Sequence, residues 1–165
     1  MLLVRHSTPE LEPSVPSDEW RLSEEGRQRC GQLAERLAGY EPVVLLSSTE
    51  PKARETAELL AGRLGLEVRL SAGLRETARR TVGWLPREQL DRGIRALFER
   101  PDAIVFGEES AAAALTRFQE TVAGLPEPSV VVTHGTVLSL YVAARTGRDG
   151  YEIWRSLELP DVVEV

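Results

Sequence analysis

The sequence predicts an α/β fold, and three observations carry that expectation. Short β-branched or leucine-rich runs alternate along the chain with longer stretches that place apolar residues at helical spacing. Three of the short runs are apolar at every position, as strands covered on both faces are. The 165 residues, 42% of them hydrophobic, have the length and composition of one domain with a buried core, so residues 1–165 read as a single domain.

In chain order, Leu2 to Arg5 forms the first strand, and Thr8 to Asp18, rich in proline, serine and glutamate, follows as a surface loop. Ser23 is the N-cap of a helix with Glu24 and Glu25 in its first turn. Cys30, Leu33, Ala34 and Leu37 mark its inner face, and Gly39 ends it. Val43 to Leu46 is a strand, and a second helix carries Ala53, Ala57, Leu60 and Leu64 up to Gly65. Glu67 to Leu70 is a third strand, and Ala78 to Pro86 a second irregular loop.

A third helix bears Leu90, Ile94, Leu97 and Phe98 and stops before Pro101, and Ala103 to Phe106 reads as a strand. The fourth helix, with Ala111, Leu115, Phe118 and Val122, ends at Gly124 and Pro126. Val130 to Thr133 is a buried strand, a fifth helix runs from His134 to Gly147, and the charge-alternating run Val162 to Val165 is an edge strand.

Composition excludes several functions. The lone Cys30 lies on a helix's apolar stripe and reads as a buried structural thiol. The first residues lack the basic, apolar and cleavage regions of an export signal, and no stretch approaches the roughly 20 apolar residues of a membrane span. A cytoplasmic, membrane-free protein is expected. With a net charge of −6 and arginines dispersed along helices, no nucleic-acid footprint is expected. No zinc-type spacing, nucleophile elbow, Walker loop or dinucleotide fingerprint occurs, so no metal is assigned.

Both histidines of the chain stand directly after apolar strands, in Leu2-Leu3-Val4-Arg5-His6 and Val130-Val131-Val132-Thr133-His134. Ligands of open α/β sheets bind beyond the carboxyl ends of strands. If the two strands are parallel neighbours, both imidazoles meet in one crevice. A third strand ends at Ser47-Ser48 and delivers Lys52 and Arg54 to the same rim. Cations in a helix's first turns oppose its dipole, and anion binding supplies a reason for them. With Arg5, the crevice gathers positive charge in a negative protein, which points to a phosphate-like anion.

Leu3-Val4-Arg5-His6 resembles the Arg-His-Gly signature of the histidine phosphatase superfamily, which includes the cofactor-dependent phosphoglycerate mutases. Leu22-Ser23-Glu24-Glu25-Gly26-Arg27-Gln28 resembles its Leu-Thr-x-x-Gly-x-x-Gln helix start, and Ser47 to Ala57 its Ser-Ser-x-x-x-Arg-Ala-x-x-Thr-Ala block. Leu74-Arg75-Glu76, Gly107-Glu108-Glu109-Ser110 and Val132-Thr133-His134-Gly135 resemble three further segments, in order over nearly the whole chain.

The resemblance implies a three-layer α/β/α sandwich with a mostly parallel sheet and hydrolysis of a small phosphomonoester through a phosphohistidine on His6. It implies phosphate contacts from Arg5 and Lys52, with Arg54 as a substitute, a third catalytic group in His134, and no cofactor. Glu76 would protonate the leaving alcohol and then activate water. A phosphoglycerate mutase-type transferase and a weakly active phosphate-binding module are the alternatives. Departures are Lys52 in place of arginine, Ser7 in place of glycine, and Pro9 in place of threonine with Thr8 beside it. Glu109 and Ser110 read as a first-turn acid and a helix cap, and Trp20, Arg21, Trp84 and Arg87 as residues beside the entrance.

Overall fold

Strands that are apolar throughout demand cover on both faces, and the structure supplies it. The computed structural model describes residues 1–165. Its strands are β1 (Leu2–Arg5), β2 (Val44–Ser48), β3 (Val68–Ser71), β4 (Ser129–Thr133) and β5 (Asp161–Glu164). Its helices are α1 (Glu24–Ala38), α2 (Pro51–Leu64), α3 (Arg87–Glu99), α4 (Ala111–Val122), α5 (Gly135–Thr146) and α6 (Gly150–Ser156). The strands form one sheet in the order β3-β2-β4-β1-β5, parallel except for the edge strand β5.

Because successive strand residues face opposite sides, Leu2, Val4, Leu45, Val130 and Val132 pack against Leu33 and Leu37 of α1 and Ala53, Ala57 and Leu60 of α2. Leu3, Val44, Leu46 and Val131 pack on the other side with Phe118 of α4 and Val137, Leu138 and Val142 of α5. Each large side chain so buried contributes about 1.5–3 kcal/mol relative to exposure. The result is a three-layer α/β/α sandwich.

The helix boundaries follow their caps. Ser23 Oγ accepts from Gly26 N at 3.0 Å, and Ser110 Oγ from Ala113 N at 3.2 Å, which confirms Ser110 as a cap. Glu109 precedes that cap and is not the helix's first-turn acid. Ala103 to Phe106 is not a strand. Phe106 instead packs with Ile94 of α3 and with Tyr151 and Trp154 of α6 in a separate small core. Removing that aromatic from water outweighs the weak strand preference of four residues. The seven-residue α6, unmarked by periodicity, is started by Asp149, whose side chain accepts from Glu152 N at 3.1 Å.

Each irregular loop contains a short 3-10 turn, Ser17–Glu19 and Arg80–Val82, and the two loops meet. Arg80 Nη1 donates to Asp18 Oδ2 at 2.8 Å, and Nη2 donates to Glu19. No helix is long and apolar enough to cross a membrane.

Candidate active site

The parallel pairing of β1 and β4 aligns Arg5 with Thr133, so the residues that follow, His6 and His134, leave the sheet side by side. His6 N donates to Thr133 O at 2.9 Å, which extends the ladder by one bond. The two rings lie 5.2 Å apart between centroids in an edge-to-face arrangement, and both are buried.

His6 Nδ1 lies 2.8 Å from Ser7 O. A carbonyl can only accept, so Nδ1 carries the proton and Nε2 the lone pair. The turn that holds this carbonyl is itself fixed: Ser7 N donates to Thr56 Oγ1 at 3.0 Å, and Ser7 Oγ to Gly26 O at 2.7 Å. Close approach requires glycine at 26, because a Cβ there would stand 2.1 Å from Thr8 O. Ser7, which replaces the expected glycine, thus anchors the loop from inside. Burial first, then the charges on Lys52 and Arg5, hold the His6 pKa well below the usual imidazole range.

His134 is oriented from its other nitrogen. Its Nε2 is 2.8 Å from Ser48 Oγ, which already accepts from Glu50 N at 3.2 Å. The hydroxyl has no other acceptor in reach, so its proton is directed at Nε2, and the ring proton sits on Nδ1. That Nδ1 is buried without a hydrogen-bond partner, 3.6 Å from Glu50 Oε2. Burial, followed by Lys52, pushes the His134 pKa well down, against an opposing pull from Glu76.

The expected cations do not contribute equally. Arg5 Nη1 donates to Leu157 O at 2.8 Å, while its buried Nε has no partner. Its side chain passes α5 at Gly135, where a Cβ would lie 3.1 Å from Nε. Lys52 is buried beside both histidines, but its Nζ donates to Glu50 Oε2 and to Ser17 O, each at 2.6 Å. Arg54 pairs instead with Glu58, one turn along α2, at 3.5 Å. Helical spacing explains this: two residues past Lys52, the side chain points about 200° away around the helix.

Glu76 lies at the start of α5. Its Oε2 accepts from Thr136 N at 3.0 Å, and its Oε1 from Val137 N at 3.2 Å and Thr77 N at 2.9 Å. Burial alone would raise its pKa, but Arg79 and these backbone donors together hold it below the usual carboxylate range. Glu76 therefore stands as a carboxylate. It borders a cavity of about 220 Å³ shared with Ser17, Asp18, Glu50, Arg75, Thr77, Ala78, Arg79, Arg80 and Glu108. Larger clefts of about 440 and 460 Å³ lie elsewhere, around Met1 and Tyr141 and around Phe98 and Ala143, away from both histidines.

Other sequence-selected residues support the site from outside. Glu109 accepts from both Nη atoms of Arg75, from Arg117 and from Ala78 N, and so braces the Glu76 loop. Arg21 is engaged with Glu55 at 2.7 Å, Trp20 Nε1 ties down its own loop through Glu12 O, and the Thr8 hydroxyl donates to Leu159 O. Trp84 is exposed, and Arg87 stacks over the Trp154 ring. Cys30 is buried, as its place on the helix stripe requires.

Sequence reasoning missed three residues. Ser48 was visible only as part of the Ser-Ser pair, with nothing to mark its bond to His134. Arg79 sits in a loop without periodicity, yet it is the leading charge that lowers the Glu76 pKa. Glu50 fell at an unspecified position of its block. An acid two residues before Lys52 at a helix start was the available signal.

The model of the histidine phosphatase superfamily (branch 1) matches residues 1–162. Glucosyl-3-phosphoglycerate phosphatase of Mycobacterium tuberculosis is 35% identical over 141 residues, covering 74% of this chain. The chain spans 63% of that relative's length. A solved mycobacterial glucosyl-3-phosphoglycerate phosphatase in complex with VO3 superposes with a TM-score of 0.74 at 28% identity, over 96% of this chain and 85% of that one. An Entamoeba histolytica phosphoserine phosphatase with 3-phosphoglyceric acid shares the fold, with a TM-score of 0.76 at 20% identity over 98% of this chain and 87% of that one.

Proposed function

The chain belongs to the histidine phosphatase superfamily, and from that premise we propose that it hydrolyses a small phosphomonoester through a phosphohistidine on His6. The observation that carries this reading is the hydrogen bond from His6 Nδ1 to Ser7 O at 2.8 Å in a neutral, buried ring. It leaves a nucleophilic Nε2 lone pair on the crevice. Names of similar proteins support the reaction class, and residues 1–165 would act as one domain.

In this mechanism Nε2 attacks phosphorus in line while the ester P–O bond breaks. Arg5 Nε and His134 Nδ1, both buried and unpartnered, donate to the equatorial oxygens. Lys52 adds charge from beside the two rings, and Arg54 has no direct part. The leaving oxygen takes its proton from Glu76. Because Glu76 enters as a carboxylate, that proton arrives with the substrate: the ester's monoanion, whose second pKa is about 6, carries it. Glu76 then removes a proton from water, the resulting hydroxide attacks phosphorus, and the P–N bond to His6 breaks.

Purified protein should release phosphate from an aryl phosphate ester, and His6→Ala should lower that rate on the order of 10⁴-fold. Acid quench during turnover should leave acid-labile phosphate on the parent protein alone. Equal rates for parent and variant would sink the proposal.

A further inference from the structure

Glu50 is a buried carboxylate to which the phosphatase mechanism gives no task. It lies at the N-cap of α2 and places both oxygens inside the site. One accepts from Lys52 Nζ at 2.6 Å and stands 3.6 Å from His134 Nδ1, and the other accepts from Glu76 N at 2.7 Å. Lys52 and His134 are donors that a phosphoryl group would use. An acid among them is costly for anion binding, since a like charge in a buried pocket repels the ligand.

We propose that Glu50 is a positioning residue, an internal anion that holds the Lys52 ammonium and competes with phosphate for it, which keeps affinity for the product low. The proposal rests on the phosphatase reading above. A hydrolase must release phosphate after every turnover, and release often limits such enzymes. A pocket with two histidines, Arg5 and an unopposed Lys52 would retain it. In this chain, the ammonium swings from Glu50 to the phosphoryl group when substrate enters and returns to Glu50 as phosphate departs. The bond to Glu76 N keeps Glu50 in place during the exchange.

The test is the dissociation constant of inorganic phosphate, measured calorimetrically on the whole protein and on Glu50→Gln, Glu50→Met and Lys52→Met. Both Glu50 variants should bind phosphate about tenfold more tightly than the parent and show stronger product inhibition. Lys52→Met should bind it more weakly, and Glu50→Gln added to Lys52→Met should tighten binding by much less than the roughly tenfold it gives in the parent, because no ammonium is left to release. A Glu50 that serves only as a clasp between loops predicts the reverse, weaker binding in both Glu50 variants. Unchanged or weaker phosphate binding in Glu50→Gln with native unfolding behaviour overturns the proposal, as does a Lys52→Met that binds like the parent. Failure of the phosphatase reading shows elsewhere, as equal ester hydrolysis by parent and His6→Ala.

Discussion

Glu109 and the histidine crevice are two gatherings of charge built from similar parts, and they differ in what is left unmet. Around Glu109, 10% exposed, Arg75 makes a two-pronged contact at 2.8 and 2.9 Å, Arg117 adds bonds at 3.1 and 2.9 Å, and Ala78 N completes the shell. The carboxylate is saturated. In the crevice, Arg5 Nε and His134 Nδ1 are buried with no hydrogen-bond partner, as are the hydroxyls of Thr77 and Thr136, whose backbone N–H groups hold Glu76. Buried polar atoms normally find partners. The first cluster is a brace, and the second is shaped for something that arrives.

That contrast can be broken by experiment, most sharply at His134. His134→Gln should lower kcat for an aryl phosphate on the order of 10² to 10³-fold, because it removes a transition-state donor, while its thermal midpoint stays at or above the parent's. A large loss of stability with retained kcat would make His134 a structural residue and erase the distinction.

At the brace the expectation is opposite in kind. Glu109→Ala should cost about 2 kcal/mol in urea unfolding, a value held down because Arg75 is over a third exposed. It should also lower kcat through the loosened Glu76 loop. A stability change under about 0.5 kcal/mol would show that the saturated cluster contributes no more than an ordinary surface pair.

The acid needed by the crevice gives the next expectation. With Glu76 ionised in the free protein, kcat/KM should fall about tenfold per unit as pH rises past roughly 6, where the substrate monoanion is lost. A flat profile from pH 6 to 8 would mean that Glu76 takes its proton from another source.

The smallest effect sharpens the same contrast through stability. Both histidines are neutral in the fold and titrate near 6.5 when unfolded. Their burial as neutral rings is therefore free of penalty above about pH 6.5, and stability is lost below it because only the unfolded chain takes up protons. Each contributes up to about 1.4 kcal/mol per pH unit in that range. His134→Gln should flatten the acid-side decline in urea midpoints relative to the parent, and equal slopes would contradict neutral burial of His134.

Much of the site was legible because strand ends are legible. Apolar runs that stop at His6 and His134 mark the carboxyl edge of a sheet, and parallel pairing makes neighbours of residues 128 positions apart. Arg5 follows from the same register. What could not be read is the direction of side chains across loops. Lys52 and Arg54 look interchangeable in the sequence, yet the helical turn sends one to the histidines and the other to Glu58. Ala103 to Phe106 looks like a strand, and a buried aromatic drew it into another core.

The sequence by itself determined the alternation of strands and helices, the caps at Ser23 and Ser110, and the placing of both histidines at strand ends. These depend on short-range periodicity and on local hydrogen bonds within a turn. Only the tertiary structure decided which nitrogen of each imidazole is free, that Glu50 holds Lys52, and that Glu76 rests ionised on the first turn of α5. Those outcomes depend on contacts between segments far apart in the chain, where a few tenths of an ångström separate a bond from a gap, and no local pattern encodes that distance.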